Sequence, residues 1–281
     1  MRRPRFAEQL AYQAALALVG LFVLLPIWGL VNVAFEGALK GAPVELRLWP
    51  AQFSAAAFRK VWLDPAQSLN FLGLLKNSLI VSGGAAAVAL IFGASTAYGF
   101  ARFRFPGRQG GLFGLLLGTL LPPVALMTPL YLLLTMLGLR TSLLGLMVVY
   151  TSFSMPFCVW NMRAAFQAVP AELEEAAFLD GATPLVAFWR VTLPLALPAM
   201  AVAALIAFLI GYTEFAIGWL FVESSHNVTL AMAIAGLMGD GSRAWSEMAA
   251  LAILMSLPVI VLFLLLRRYL LQGLLLGTVQ E

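Results

Sequence analysis

Six apolar runs, each near the roughly 20 residues that a helix needs to cross a bilayer, constrain this chain more than any other feature. They cover residues 12–35, 77–100, 111–137, 143–162, 195–221 and 248–266, and each is bounded by charges or turn residues. Composition agrees: 62% of residues are hydrophobic, 11% are charged and the mean hydropathy is +0.94, whereas soluble domains carry about 25% charged residues. Too little polar surface exists to face water on all sides, so the missing contact is lipid. Backbone in lipid must satisfy its own hydrogen bonds, which selects helices. The expectation is an all-α, polytopic membrane protein with six transmembrane helices.

Cations near the span ends set the orientation. Arg2, Arg3, Arg5, Arg102, Arg104, Arg108, Arg163, Arg190, Arg267 and Arg268 fall on one side if six spans are present, and that side is the cytoplasm. The opposing cations lie mostly in the long segment 36–76, which obeys the rule poorly. The organisation expected is a cytoplasmic N-terminus (1–11), a first span (12–35), an extracytoplasmic segment (36–76), a five-helix core (77–266) with a cytoplasmic loop at 163–194, and a cytoplasmic tail (267–281). The first apolar run is long enough to span and lacks a small-residue cleavage site, so it reads as an anchor rather than a signal peptide. The cations are distributed between spans rather than gathered in a patch for nucleic acid. With one cysteine, Cys158, and one histidine, His226, there is no disulfide framework and scant material for a metal cluster or a catalytic triad. Both residues read as structural.

Within 36–76, Phe58, Val61 and Trp62 share one helical face, as a short helix on the membrane surface or as a cap over the span ends. Gly110, Gly114 and Gly118, and Gly93 with Ala97, mark faces where helices could approach closely. Pro122-Pro123 interrupts the third span, either as a structural kink or as a break of the kind that builds transport sites.

The most informative stretch is the loop at 163–194. Pro170 suits a first helical position, and Glu172, Glu174 and Glu175 favour the positive end of the helix dipole. Gly181 suits a left-handed cap. Thr183 followed by Pro184 restarts a helix, and Pro194 limits it. Leu185, Phe188 and Trp189 form an apolar stripe on the second helix, and Leu173, Ala176 and Ala177 a small-residue stripe on the first. An apolar knob flanked by carboxylates suits docking into the groove of a soluble partner. A helix lying on the bilayer would favour Lys and Arg instead.

This stretch resembles the cytoplasmic coupling motif of ABC-importer permeases. Glu175-Ala176-Ala177, three residues, Gly181, nine residues, Val191, one residue and Leu193-Pro194 fit its spacing, with Val for the usual Ile. Asn77-Ser78-Leu79-Ile80-Val81, Ala97 through Arg102, Pro129-Leu130-Tyr131 and Asp180-Gly181-Ala182 extend the resemblance to the shorter permease subunit of the maltose-type branch. The C-terminal eight residues depart from it. The resemblance implies the type I importer permease fold in a bacterial inner membrane with both termini cytoplasmic. It also implies a second permease, an ATPase dimer holding ATP and Mg, and an extracytoplasmic sugar-binding protein, with no cofactor on this chain. The ATPase would dock on Glu175, Ala176, Ala177, Asp180, Gly181 and Phe188, and the loop at Gly239, Asp240 and Gly241 would meet the binding protein.

Glu214 is the one acidic residue well inside an apolar run, and with Tyr212 it is a candidate for the substrate pathway. Its position, roughly 24 Å along the helix from Pro198, also suits a structural pair near the outer interface. No Gly-x-x-x-x-Gly-Lys-Ser/Thr phosphate loop is present, so the chain reads as a transport subunit and not an enzyme. The implied cargo is a di- or oligosaccharide, with glycerol phosphate or another small polyol as the alternative. A secondary transporter would show a repeat and coupling carboxylates deep in several spans, and a membrane enzyme would show convergent catalytic groups; neither pattern is evident.

Overall fold

A computed structural model describes residues 6–37, 39, 41–43, 45, 47–65, 69–223, 225–239 and 244–277. Among them the chain is helical, with a single isolated antiparallel bridge between Glu36 and Phe53. The helices are α1 (Phe6–Ala34), α2 (Ala56–Leu63), α3 (Phe71–Arg102), α4 (Arg108–Leu120), α5 (Met127–Met136), α6 (Leu143–Ala168), α7 (Ala171–Leu179), α8 (Pro184–Ala187), α9 (Leu193–Thr213), α10 (Ala216–Phe221), α11 (Leu230–Gly239) and α12 (Trp245–Gly277). Five stretches are long and apolar enough to cross a membrane. A sixth span results if α4 and the helical segment Pro123–Met136, bent by 99° at the Pro122-Pro123 break, count as one.

The chain divides into two compact units, one of 1–71 with 234–256 and the other of 72–233 with 257–281. In the first, α1 is exposed over most of its apolar length, burying only Asn32 and Ala34 at its end, which is what lipid-facing helices require. Phe35 stacks on Phe53 at 4.9 Å and meets Phe58 at 4.7 Å. Trp62 stacks on Phe71 at 5.1 Å, and Val61 is fully buried. The stripe 58, 61, 62 is thus the face by which α2 packs as a cap.

In the second unit α3, α6 and α9 pack closely. A Cβ at Gly211 would lie 3.2 Å from the Ser82 backbone and 3.3 Å from the Tyr150 ring. One at Gly93 would lie 3.1 Å from Cys158 Cβ, and Ala97 is fully buried. Gly93 and Ala97 therefore mark a real helix contact. Gly110, Gly114 and Gly118 have nothing within 4 Å of a Cβ position, so that stripe packs against nothing among the described residues.

Other boundaries also shift. α3 begins at Phe71 and not at Asn77; Asn77 is a buried residue inside the helix whose amide donates to the carbonyls of His226 (2.7 Å) and Val228 (2.9 Å). The fifth apolar run is not one helix, since α9 stops at Thr213 and α10 begins at Ala216. The stretch from 236, read as loop, continues α11 to Gly239; its Leu, Ala and Met content favours helix and outweighed the glycines.

Gly211→Ala is expected to cost about 1–3 kcal/mol through overpacking against backbone and a buried ring. Gly84→Ala should cost less, because its Cβ would meet only the thioether end of Met147. Thermal unfolding of the two variants in detergent checks the order.

Candidate functional site

The chemistry concentrates in α7, α8 and the turns around them. Pro170 is the residue before α7 rather than its first, with extended backbone (ψ 132°), and its carbonyl accepts from Leu173. The last turn closes as the sequence implies. Gly181 has φ +86°, its N–H reaches the Phe178 carbonyl at 3.0 Å, and the Ala182 N–H reaches Ala177 at 2.9 Å. That pair of bonds is the Schellman motif, which needs a left-handed residue at its centre. Thr183 then caps α8 by accepting from the Val186 N–H, with Pro184 at the first position.

Pro194 does not end this second helix. Phe188–Thr192 form a π-helical turn that leads directly into α9, and the Leu193 N–H donates to Phe188. A proline at 194 cannot donate to the Arg190 carbonyl and would press its ring on it; a wider turn relieves both. The second loop helix and the fifth span are therefore one continuous rod, Pro184–Thr213.

The elbow presents an apolar surface. Leu179 is 89% exposed, Leu185 67% and Trp189 59%, with Leu173 and Phe178 beside them. Glu172, Glu175, Ala176, Asp180 and Gly181 are exposed and Ala177 is half-buried. Phe188 departs from the expected stripe. It is buried, with its ring 4.7 Å from Tyr98 and 5.9 Å from Phe166, because it lies about 100° round the helix from Trp189, on the side that Ala187 also buries.

Glu174 was not singled out in the sequence, although it lies three residues from both Ala171 and Ala177, where a lone carboxylate on a small-residue face is a signal. It is 5% exposed. Its Oε1 accepts from Arg102 Nε (2.9 Å) and the Thr192 hydroxyl (2.6 Å), and lies 2.8 Å from Arg102 Nη2. Its Oε2 accepts from the Tyr98 hydroxyl at 3.0 Å. Arg102 Nη2 also donates to the Val169 carbonyl at 2.9 Å. Removing one partner of such a buried pair typically costs about 3–5 kcal/mol.

At the far end of α9, Glu214 accepts from the Tyr150 hydroxyl (2.8 Å) and from the N–H groups of Ile217 (3.0 Å) and Gly218 (3.3 Å). It thus caps α10, the structural pairing expected, and explains why the fifth run breaks there. Tyr212 is buried and stacks on Phe208 at 5.1 Å. Nearby, Arg140 bonds Glu223 (2.7 Å) and the Tyr131 hydroxyl. Gly239 ends α11, while Asp240 and Gly241 lie outside the described residues. Cys158 is buried and its thiol points to the Ala203 carbonyl at 3.8 Å. No group of three His, Cys, Asp or Glu suited to a metal occurs among the described residues.

Comparison with known proteins agrees with this arrangement. Residues 89–275 match the family described as binding-protein-dependent transport system inner membrane component. The maltose/maltodextrin transport system permease protein MalG of Escherichia coli (strain K12) is 35% identical over 211 residues, covering 73% of this chain and 71% of that protein. The trehalose transport system permease protein SugB of Mycobacterium tuberculosis (strain CDC 1551 / Oshkosh) is 32% identical over 212 residues, 75% of this chain and 77% of that one. In fold, the chain is similar to one from the crystal structure of a bacterial ABC transporter involved in the import of the acidic polysaccharide alginate. The TM-score is 0.76 at 22% identity, covering 96% of this chain and 100% of that one. An ABC-transporter permease fold, an elbowed motif exposed between spans and close relatives that are themselves transport permeases place this chain in the binding-protein-dependent transport system inner membrane component family.

Proposed function

We propose that the chain is a permease subunit of an ATP-driven importer of a di- or oligosaccharide in a bacterial inner membrane, with both termini cytoplasmic. It works beside a second, similar permease, a pair of ATPase subunits that hold ATP and Mg, and an extracytoplasmic sugar-binding protein. The chain itself binds no cofactor. The observation that carries this reading is the exposed knob of Leu179, Leu185 and Trp189 with Glu175 and Asp180 around a left-handed Gly181. Large apolar side chains concentrated on a short, acidic, doubly capped elbow suit a groove on a soluble partner better than an anionic lipid surface. The carbohydrate cargo is supported by MalG and SugB, whose names specify maltose and trehalose transport.

In this account, ATP-driven closure of the ATPase pair displaces the elbow. The displacement favours one arrangement of the spans because the docked contacts differ between the two states. The rod Pro184–Thr213 runs from the knob along the whole fifth span, so it needs no flexible joint to pass motion on.

Trp189→Asp with Leu185→Asp is expected to weaken capture of the ATPase pair and abolish uptake while the chain still inserts. Gly181→Asp should act likewise, since a Cβ in the left-handed region costs about 1–2 kcal/mol. Phe188→Ala should instead lower the stability of the chain itself, by about 3–5 kcal/mol, because its ring fills the core. Pull-down of the ATPase and detergent melting separate the two classes. For the cargo, ATPase activity of the reconstituted complex with its binding protein should rise with a di- or oligosaccharide; stimulation by glycerol phosphate alone would contradict the assignment.

A further inference from the structure

α7 carries the coupling motif, yet of its nine residues Ala171–Leu179 the one buried residue is an ion, Glu174. A surface helix is ordinarily fastened by an apolar stripe. This one is fastened by a carboxylate that gathers four donor contacts from two different places: Tyr98 and Arg102 on the last turn of α3, and Thr192 at the end of the π turn. Arg102 reaches one residue further, to the Val169 carbonyl at the α6–α7 junction. Consecutive residues on a helix point about 100° apart, so Glu175 faces outward while Glu174 faces in.

Apolar contacts are non-directional and let packed helices slide. Charge-assisted bonds are directional, and four of them converging on the two oxygens of one carboxylate fix angle and register. We infer that Glu174 and Arg102 form a clasp that makes α7, the end of α3 and the base of the fifth-span rod move as one body, so that Glu174 is a positioning residue for coupling ATP hydrolysis to transport. The inference rests on the functional reading above and adds a role for two residues that the docking surface does not use. Without the clasp the ATPase still finds its knob, but displacement of α7 is spent in slippage against α3.

The test uses the full complex in lipid nanodiscs with its partner permease, ATPase pair and binding protein. With Cys158→Ala as background, spin labels at Glu172→Cys on α7 and Phe103→Cys just after α3 report one distance. Both sites are exposed. In the otherwise native chain that distance should stay narrow and unchanged between nucleotide-free and ATP-bound states. Glu174→Gln keeps volume and removes the charge, and Glu174→Met with Arg102→Met replaces the ion pair by apolar groups of similar size, a change that buried pairs often tolerate in stability. Both should capture the ATPase normally and hydrolyse ATP, while uptake per ATP falls roughly tenfold and the inter-label distance broadens. If Glu174→Gln does not accumulate, the double variant decides. Native uptake per ATP with a single narrow distance in the variants would overturn the clasp. Failure of the otherwise native chain to capture any ATPase would overturn the functional reading, and the clasp with it.

Discussion

Every interruption of a helix leaves backbone groups that must find new partners, in lipid most of all, and the way this chain meets that demand shapes its candidate site. The break after Thr213 is covered by the Glu214 carboxylate, which takes two N–H groups of α10. The elbow at Gly181 returns its carbonyls to N–H groups of the next turn. Pro194, which would leave the Arg190 carbonyl without a donor, is met by a π turn rather than by ending the helix. Each of these places carries a side chain of the candidate site.

The consequence for mechanism is a division of labour within one short segment. Exposed Leu185 and Trp189 face outward on the same rod whose other side packs Phe188 against Tyr98 and Phe166. Glu174 and Glu175, adjacent in sequence, face the chain's own core and its surroundings respectively. On the function proposed here, a lever must be gripped on one side and anchored on the other, and apolar exposure would supply the grip while buried charge would supply the anchor.

Much of this was legible beforehand. Span positions followed from apolar length, the Gly181 elbow from a single glycine between two proline-led helices, and the Thr183 cap from its neighbour Pro184. What escaped depended on three-dimensional neighbours. Asn77 read as a helix start because it is polar, yet its amide is buried against the carbonyls of 226 and 228. Phe188 read as surface because it neighbours the exposed Trp189, yet its ring is covered by Tyr98 and Phe166 from other helices. Glu174 read as one of three dipole-favouring acids; its place between Ala171 and Ala177 on one helix face was the local signal, while the partner that holds it, Arg102, lies 72 residues earlier. The stripe Gly110, Gly114 and Gly118 read as a packing face, but no helix among the described residues fills it.

The central claim is that the elbow between α7 and α8 seats a separate nucleotide-hydrolysing subunit. A photoreactive residue placed at Leu185, on the native complex in membranes and illuminated with and without ATP, reads that contact directly. The account expects a covalent adduct with the ATPase subunit, mapped to one groove on its surface. Adducts only with lipid, from a complex that transports normally, would contradict it.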